Sequence, residues 1–442
     1  MSNEAPVPTG AADDSPDEQR RGARRRVLAA AGVGHFVEWF DFGLYGTLAV
    51  VIGKHFFPSD NPQTSLLASF AVFGASFVVR PLGGLFFGPL GDRIGRRAVL
   101  SMVVLLTSGS TFVMGLLPTY SAIGLAAPVL LVLVRLVQGF AAGGESSGAT
   151  ALLAEYATPK RRGYFSSFVD TFGFLAFVAG SGLVLLLTSV LSDHSMDTWG
   201  WRLPFLLAGP LGLVGLYMRR KLEDTPDFRK LEETGSVERS PLRTALRTGR
   251  AAMLFCCGFV VIKAVGHWSL QSFMPSYLQT TLGFSSTASY AVTTVGLLAI
   301  AVAVPFMGML SDRVGRKPVM LGACAGIVLL SYPAFLLMAQ GSAWGALAAM
   351  LVLGCLIAAF DGASSAAMAE LFPTSIRYGS MAIAYNLAVA VFGGATPYFS
   401  TWLIGSTGNN LAPAFYISLC ALITLVTVAR ARETAGTSLR DV

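Results

Sequence analysis

The amino-acid sequence predicts an all-α membrane protein with twelve transmembrane helices in two repeats of six and with both termini in the cytoplasm. Three observations carry this prediction: an apolar composition divided into spans of bilayer length, a one-sided distribution of positive charge, and two motifs that recur at nearly the same offset. Of the 442 residues, 53% are hydrophobic and 13% are charged, against about 25% charged in an ordinary soluble domain. This balance is typical of a polytopic membrane protein.

Twelve apolar runs approach the roughly 20 residues that a helix needs to cross a bilayer. They lie at about 27–53, 64–90, 98–117, 124–154, 164–192, 202–219, 251–280, 286–310, 318–339, 343–371, 379–404 and 412–430. The first run follows the basic stretch "RRGARRR", as a secretion signal would, but it is too long, contains Glu38 and Asp41, and shows no clear cleavage site. We therefore predict that it remains in place as helix 1.

Positive charge is concentrated on one side of the predicted bundle. If both termini are cytoplasmic, the cytoplasmic segments hold 27 of the 32 lysines and arginines. The positive-inside rule then predicts a multi-pass protein of the cell membrane in this orientation. The same distribution explains the net charge of +7 without nucleic acid as a partner.

Two motifs occur twice and divide the chain into halves. "GPLGDRIGRRAVL" at 88–100 matches "GMLSDRVGRKPVM" at 308–320, and "AEYATPKRRG" from Ala154 matches "AELFPTSIRYG" from Ala369. Because the offsets are nearly equal, 220 and 215 residues, the chain is predicted to be a duplicated six-helix unit, with a binding site near the midplane between the halves. The predicted organisation is a disordered cytoplasmic tail at 1–26, an N-terminal six-helix bundle at 27–218, a cytoplasmic linker at 219–250, a C-terminal six-helix bundle at 251–430 and a short cytoplasmic tail at 431–442.

The repeated Asp-Arg motif resembles the signature of the major facilitator superfamily. More narrowly, "EWFDFGLYG", "RPLGGLFFGPLGDRIGRR", "RLVQGFAAGGE", "WGWRLPF", "RRKLEDTPDF" and "FPTSIRYG" resemble the metabolite:proton symporter family, and most of all its proline/betaine transporters. The resemblance implies the major facilitator fold and proton-coupled import of a small polar metabolite by alternating access. It implies no cofactor, since the proton gradient drives transport. A zwitterionic compatible solute such as proline or glycine betaine is the expected substrate; symport of an organic acid of the 2-oxoglutarate, citrate or shikimate type, and efflux, are the alternatives.

Helix 1 carries one polar stripe in an otherwise apolar sequence. At 100° per residue, His35, Glu38, Asp41 and Tyr45 fall within an arc of about 120°. A charged group in the membrane interior costs on the order of 3 kcal/mol, so we expect this stripe to face a water-filled path. Glu38 and Asp41 are therefore the candidate proton-coupling residues. The alternative is that they pair with arginine or backbone and hold helices together.

Further polar residues in the predicted spans form a candidate substrate site. Spacings of three and four residues place Arg135 with Gln138 on helix 4, and Lys263, His267 and Gln271 on one face of helix 7. The resemblance places helices 1, 4, 7 and 10 around one chamber, and Arg135 can bind a substrate carboxylate through its planar fork. Buried structural ion pairs, or a packing role for His267, are the alternatives. The candidate substrate-binding residues are His35, Tyr45, Arg135, Gln138, Lys263, His267, Gln271 and Asp361; Asp170 completes the intramembrane charges.

The repeated loops are expected to hold the cytoplasmic side shut. The resemblance implies that Asp92 caps a helix of the opposite half and that the surrounding charges break contact in each transport cycle. Asp92, Arg96, Glu155 and Arg162 would form a first latch and Asp312, Arg316, Glu370 and Arg377 its weaker twin, with Gly88, Arg93, Gly95, Arg313 and Gly315 completing the loops. A solvated basic turn is the alternative, but it explains neither the aspartates nor the repetition.

Motifs for other functions are missing from the sequence. No GxxxxGK[ST] or HExxH occurs, and the five cysteines show no CxxC spacing. The one GxSxG match, GESSG at 144–148, lies within the apolar run 124–154. ATP, a metal and enzymatic catalysis are therefore not predicted. A multi-pass membrane enzyme would need a nucleophile or a metal constellation, and a transporter-like sensor would need a soluble signalling domain. The expected partners are a small-molecule substrate, protons and the lipid bilayer, and the chain is expected to function as a monomer.

Overall fold

The computed structural model describes residues 16–94, 96–143, 148–221, 250–373 and 377–437, and within these ranges every regular element is helical. The principal helices are α1 Pro16–Thr47, which continues after a bend as Ala49–Phe56, α2 Pro62–Ile94, α3 Arg96–Leu116, α4 Ala126–Ala142, α5 Arg162–Val190, α6 Arg202–Lys221, α7 Arg250–Trp268, α8 Ser286–Val314, α9 Arg316–Met338, α10 Ala343–Glu370, α11 Arg377–Ala388 and α12 Ala412–Arg430. Wider π-helical turns extend α7 to Thr281, and α11 continues through the π-helical turn Val389–Gly393 and the α-helix Thr396–Thr407. Short helices at Tyr120–Ile123, Gly148–Tyr156 and Asp193–Ser195 lie between them.

The described helices match the predicted series of spans. Nine are long and apolar enough to cross a membrane, and the bent pair Gly34–Thr47 and Ala49–Phe56 makes a tenth. Two shorter apolar helices, Ala126–Ala142 and Arg202–Tyr217, occupy the fourth and sixth places, so the described part of the chain holds twelve apolar helices. Large apolar side chains such as Leu254 and Leu329 are exposed on the outer surface, where lipid tails would cover them. The chain is a multi-pass membrane protein.

Helices α1–α6 form one half of the molecule, the N half, and α7–α12 form the C half. Across the interface, α5 packs along α8 and α2 along α11. The internal repeat relates helix 2 to helix 8 and helix 5 to helix 11. The α5–α8 contact and the α2–α11 contact are therefore equivalent under the repeat. The interface therefore has the approximate two-fold symmetry that the duplicated sequence predicts.

Glycines bring the backbones of neighbouring helices into direct contact. A Cβ on Gly83 of α2 would lie 1.7 Å from the carbonyl oxygen of Phe140, and one on Gly139 of α4 would lie 1.9 Å from that of Ser76. Helices in lipid associate through such close packing of small residues because no hydrophobic force distinguishes a helix surface from lipid tails. The tight α2–α4 contact sets the position of α4 in the N half.

The structure corrects the predicted course of the first helix. Residues 16–26 were expected to be disordered, but α1 begins at Pro16, where proline favours a helix start and the following Glu, Gln, Ala and Arg are good helix formers. The span also bends by 61° at Leu48. Gly46 precedes the bend, and a Cβ there would meet Ser272 of α7. Residues 1–15 and most of the predicted linker, 222–249, lie outside the described residues.

We predict that Gly83→Ala destabilises the protein by about 1–3 kcal/mol, the usual cost of overpacking, because the Phe140 carbonyl belongs to the backbone and cannot move aside. Gly109→Ala on α3 is the matched control, since a Cβ there meets nothing within 4 Å. Thermal unfolding of the purified proteins in detergent measures the difference. Equal unfolding temperatures for the two variants would contradict the backbone contact.

Candidate functional site

A small cavity, the central cavity, lies between the two halves. Its volume is about 20 Å³, enough for a single water molecule. His35 and Trp39 of α1, Asp170 of α5, Lys263 and His267 of α7, and Tyr385 of α11 are among the residues that line it. The cavity is therefore built by both halves and is too small in this structure for more than about one water molecule.

Lys263 is the centre of a buried ion-pair cluster at the cavity. Its Nζ lies 2.7 Å from Oδ1 of Asp170 and 3.1 Å from Oδ1 of Asp361, and it also contacts the Ser365 hydroxyl at 3.3 Å. All four side chains are buried. Asp170 belongs to the N half, whereas Lys263, Asp361 and Ser365 belong to the C half. The lysine thus joins the halves through one carboxylate and stays paired within its own half through the other.

His267 extends this cluster along α7. Its Nε2 lies 2.6 Å from Oδ2 of Asp361, and its ring packs against Phe174 and Trp39. The Ser365 hydroxyl donates to Oδ2 of Asp170 at 2.6 Å. Ligand atoms of Asp170, His267 and Asp361 lie close enough together to hold a metal ion, but the ammonium of Lys263 contacts both carboxylates and supplies the positive charge there. The group is best described as an ion-pair cluster.

The polar residues on helix 1 face several neighbours and only partly the cavity. His35 lines the central cavity, whereas Glu38 lies 3.7 Å from Arg80 of α2. Asp41 accepts a hydrogen bond from Ser108 of α3 at 3.0 Å, and the Tyr45 hydroxyl donates to a backbone carbonyl of α2. An arc of about 120° is wide enough to touch three packed helices, and this is why the stripe does not face a single chamber.

Arg135 and Gln138 also lie inside the N half. The Arg135 guanidinium donates to Gln138 and to the Ser76 hydroxyl, and it lies 4.2 Å from the ring centroid of Tyr45. Gln138 in turn donates to Thr111 of α3 at 2.7 Å. Among the residues that the structure describes, no carboxylate lies within ion-pair distance of Arg135. The expected single chamber is therefore divided: Lys263 and His267 line the cavity with Asp361 paired to both, whereas aromatic rings enclose Arg135.

Gln271 lies further along α7, in its first π-helical turn. The side chain is buried, and neither of its amide atoms has a hydrogen-bond partner within the described residues. A buried amide without hydrogen-bond partners costs free energy. The Gln271 amide would recover this cost by hydrogen bonding to water or solute when the halves separate.

Charged residues close one end of the interface, which we call the charged end. Arg162 of the N half lies 2.7 Å from Glu370 of the C half, and Arg377 of the C half lies 2.8 Å from Glu155 of the N half. The sequence grouped Glu155 and Arg162 in one latch and Glu370 and Arg377 in the other. In the structure the acids and arginines pair between the two groups, because the repeated loops meet across the interface.

Asp312 caps the first turn of α5 from the opposite half. Its two oxygens accept the backbone N–H groups of Gly163 at 2.8 Å and Tyr164 at 2.9 Å, and Arg316 pairs with it at 2.8 Å. An anion at a helix N-terminus is stabilised by free N–H groups and by the helix dipole. This contact is the one expected of Asp92. Gly95 lies outside the described residues, as do the surroundings of Gly88 and the side chains of Asp92, Arg93 and Arg96.

The chain after α12 folds back onto the charged end. Glu433 accepts the backbone N–H groups of Arg316 and Lys317 at the start of α9, where Gly315 has a φ of +110° that favours glycine. Partial burial alone would raise the pKa of Glu433, but backbone hydrogen bonds from Ala435, Arg316, Lys317 and Thr434 outweigh it and lower the pKa. The Thr434 hydroxyl donates to Glu370 at 2.7 Å. Glu433 could not be recognised from the sequence, because one acid in a short polar tail has no distinguishing signal.

An aromatic cluster closes the other side of the central cavity. Trp39 lies one turn beyond His35, and Trp268 directly follows His267. Their rings stack across the interface with centroids 5.6 Å apart, and Phe77 of α2 and Phe177 of α5 pack against Trp268 at 5.0 and 5.8 Å. The cavity thus lies between charged contacts of the two halves on one side and apolar ring contacts on the other.

Comparison with known proteins agrees with this architecture. The family described as Major Facilitator Superfamily matches residues 31–293, more than half of the chain. The chain belongs to the major facilitator superfamily. The description "Sugar (and other) transporter" matches residues 229–442, so the membership extends over both halves.

Several major facilitator proteins are similar to the chain over most of its length. The proline/betaine transporter of Escherichia coli K12 is 37% identical over 428 residues, 95% of this chain and 85% of the relative. The glycine betaine/proline/ectoine/pipecolic acid transporter of Dickeya dadantii is 38% identical over 431 residues, with the same coverage. Among solved structures, a partially occluded, inward-open xylose transporter of E. coli gives a TM-score of 0.76 at 17% identity and covers 94% of this chain and 100% of that one. This last similarity concerns the fold alone.

We predict that Glu370→Gln opens the charged end, because it leaves Arg162 and Arg316 facing each other without their shared anion. Loss of one partner of a buried ion pair costs about 3–5 kcal/mol, enough to shift the closed population strongly. Spin labels at the exposed Lys160 and Val314, one in each half, would report longer distances by double electron–electron resonance.

Asp197→Asn is the control for this experiment, since Asp197 pairs with Lys54 at 2.7 Å within the N half. It should leave the label distances unchanged. An unaltered distance distribution in Glu370→Gln would show that this carboxylate does not hold the charged end closed.

Proposed function

We propose that the chain is a proton-coupled symporter that imports a zwitterionic compatible solute, such as proline or glycine betaine, by alternating access. The observation that carries the proposal is the Lys263 cluster, which places both signs of charge beside a cavity between the two halves. The names of the relatives in E. coli and D. dadantii support the same substrates. The proton gradient supplies the energy, without a cofactor, and one chain is sufficient.

The charge of the cluster favours a zwitterion over an organic acid. Lys263 faces two carboxylates, Asp170 and Asp361, so the cluster offers no surplus of positive charge to a dicarboxylate. Arg135 could supply a second cation, but the rings of Tyr45, Phe42 and Phe73 enclose it. A solute with one positive and one negative group matches the cluster without leaving a buried charge unpaired.

The two closures on either side of the cavity fit a mechanism of alternating access. The charged end and the aromatic cluster both consist of contacts between the halves, so rocking of one half against the other breaks one closure while the second remains. The distribution of lysine and arginine assigns the charged end to the cytoplasm. The aromatic cluster is then the external closure.

Asp41 is the proposed proton carrier. It is fully buried, its described hydrogen bond comes from Ser108, and no cation of the described residues lies within ion-pair distance. Glu38, by contrast, faces Arg80. An isolated buried carboxylate costs several kcal/mol, whereas the neutral acid does not carry this cost. Asp41 can therefore keep a proton while enclosed and release it where water enters the N half.

We predict that purified protein in liposomes accumulates radiolabelled proline and glycine betaine only under an inward proton gradient. A gradient of one pH unit is worth about 1.4 kcal/mol per proton, or about tenfold accumulation. A protonophore should abolish accumulation. Accumulation of 2-oxoglutarate or citrate in place of the zwitterions would contradict the substrate class.

We predict that Asp41→Asn reduces this accumulation ratio to about one while exchange of internal for external proline continues, because the amide cannot carry the proton. Asp60→Asn is the control, since Asp60 is exposed in the α1–α2 connection. Undiminished accumulation against a gradient in Asp41→Asn would rule out Asp41 as the carrier and leave the symport proposal to other acids.

A further inference from the structure

The carboxylate of Asp170 occupies an anion site that the opposite half supplies. One oxygen contacts Lys263 Nζ at 2.7 Å and the other accepts a hydrogen bond from Ser365 at 2.6 Å. Both partners belong to the C half, whereas Asp170 is carried on α5 of the N half. Of the residues that the structure describes, only Lys263 forms an ion pair with Asp170. This carboxylate therefore leaves its site whenever the halves separate.

We propose that the substrate inserts into the Asp170–Lys263 ion pair. Lys263 and Ser365 take the substrate's carboxylate, and Asp170 takes its cationic nitrogen. This inference rests on the proposed function and adds to it the orientation of the substrate and a binding role for Asp170. In the substrate-free protein the two side chains bind each other, so the empty carrier can close and return.

The size of the cavity supports insertion over binding beside the pair. With Asp170 on Lys263, the cavity has room for about one water molecule, and no solute as large as proline fits. Separation of the halves opens the required space at the ion pair itself, because its two members lie on opposite halves. Lys263 remains paired with Asp361 within the C half at 3.1 Å during this step.

Charge balance explains why the solute is a zwitterion. Insertion replaces one ion pair with two, Asp170 with the substrate's cation and the substrate's carboxylate with Lys263, and it leaves the net charge of the site unchanged. A carboxylate without a cation would leave Asp170 unpaired, and a cation without a carboxylate would leave the Lys263–Ser365 site empty. The first defect leaves the buried charge of Asp170 uncompensated. The second leaves Lys263 with Asp361 as its one anion and leaves the Ser365 hydroxyl without the acceptor that Asp170 gives it in the closed structure.

Three ligands of nearly the same shape test this orientation. Glycine betaine carries both charges, 3,3-dimethylbutyrate replaces its nitrogen by carbon and has only the carboxylate, and choline keeps the nitrogen but has no carboxylate. Binding to the purified full chain can be followed through the fluorescence of Trp39 and Trp268, which lie beside the cavity, and needs no transport. The parent protein should bind glycine betaine at least about tenfold more tightly than either single-charge analogue.

Asp170→Asn should bind glycine betaine and 3,3-dimethylbutyrate with about equal affinity, and it should still bind glycine betaine more tightly than choline. Lys263→Gln should do the reverse, and it tests the inference independently if the first variant fails to fold. Asp170→Glu should keep both preferences, and Asp197→Asn is the control outside the site.

The orientation would be overturned if Asp170→Asn kept the same two ligand preferences as the parent protein. It would also be overturned if Asp170→Asn and Lys263→Gln each lost both preferences equally. If the parent protein binds neither glycine betaine nor proline, the proposed function itself fails. Binding of both solutes with unaltered preferences in the variants would instead overturn only the insertion.

Discussion

A charge enclosed between helices in a membrane must have a partner, and in this protein several of those partners lie on the opposite six-helix half. An unpaired ion in such surroundings costs several kcal/mol. Asp170 therefore depends on Lys263, and Arg162 depends on Glu370. The closed arrangement of the halves follows from this requirement, because closure is the state in which these groups satisfy one another.

The contacts between the halves must also break during transport, and the charged groups of the C half have second partners that remain when they do. When Asp170 leaves, Lys263 keeps Asp361, and when Arg162 leaves, Glu370 keeps Arg316 at 3.5 Å. Asp312, which caps α5, likewise stays paired with Arg316. Each C-half group thus has a second partner inside its own half, so opening does not expose a buried charge on that side. Backbone contacts at Gly83 and Gly139 hold α2 and α4 together within the N half.

The sequence could predict features that are local and could not predict those that depend on how the halves meet. Apolar runs and the duplicated motifs determine the spans and the two-half architecture, and charges inside apolar runs identified Lys263, His267 and Asp361. The pairing of Arg162 with Glu370 was not predictable, because residues of two distant loops meet only after both bundles form. Spacing could not show that aromatic rings enclose Arg135. Helical periodicity predicts on which face of a helix a residue lies, but not which helix packs against that face.

Helix α5 is the element whose charges change partners during opening. Arg162 and Asp170 lie eight residues apart on it, a rise of about 12 Å, and both pair across the interface. Arg162 lies at the helix end, where water reaches it as soon as the charged end separates. Asp170 lies deeper in the interface. When the halves separate there, its carboxylate loses Lys263 and must be hydrated by water unless a cationic solute binds it. Separation of the halves is therefore easy at Arg162, near the helix end, but at Asp170 it depends on solute or water to take the place of Lys263. This dependence couples the position of the halves to occupancy of the site.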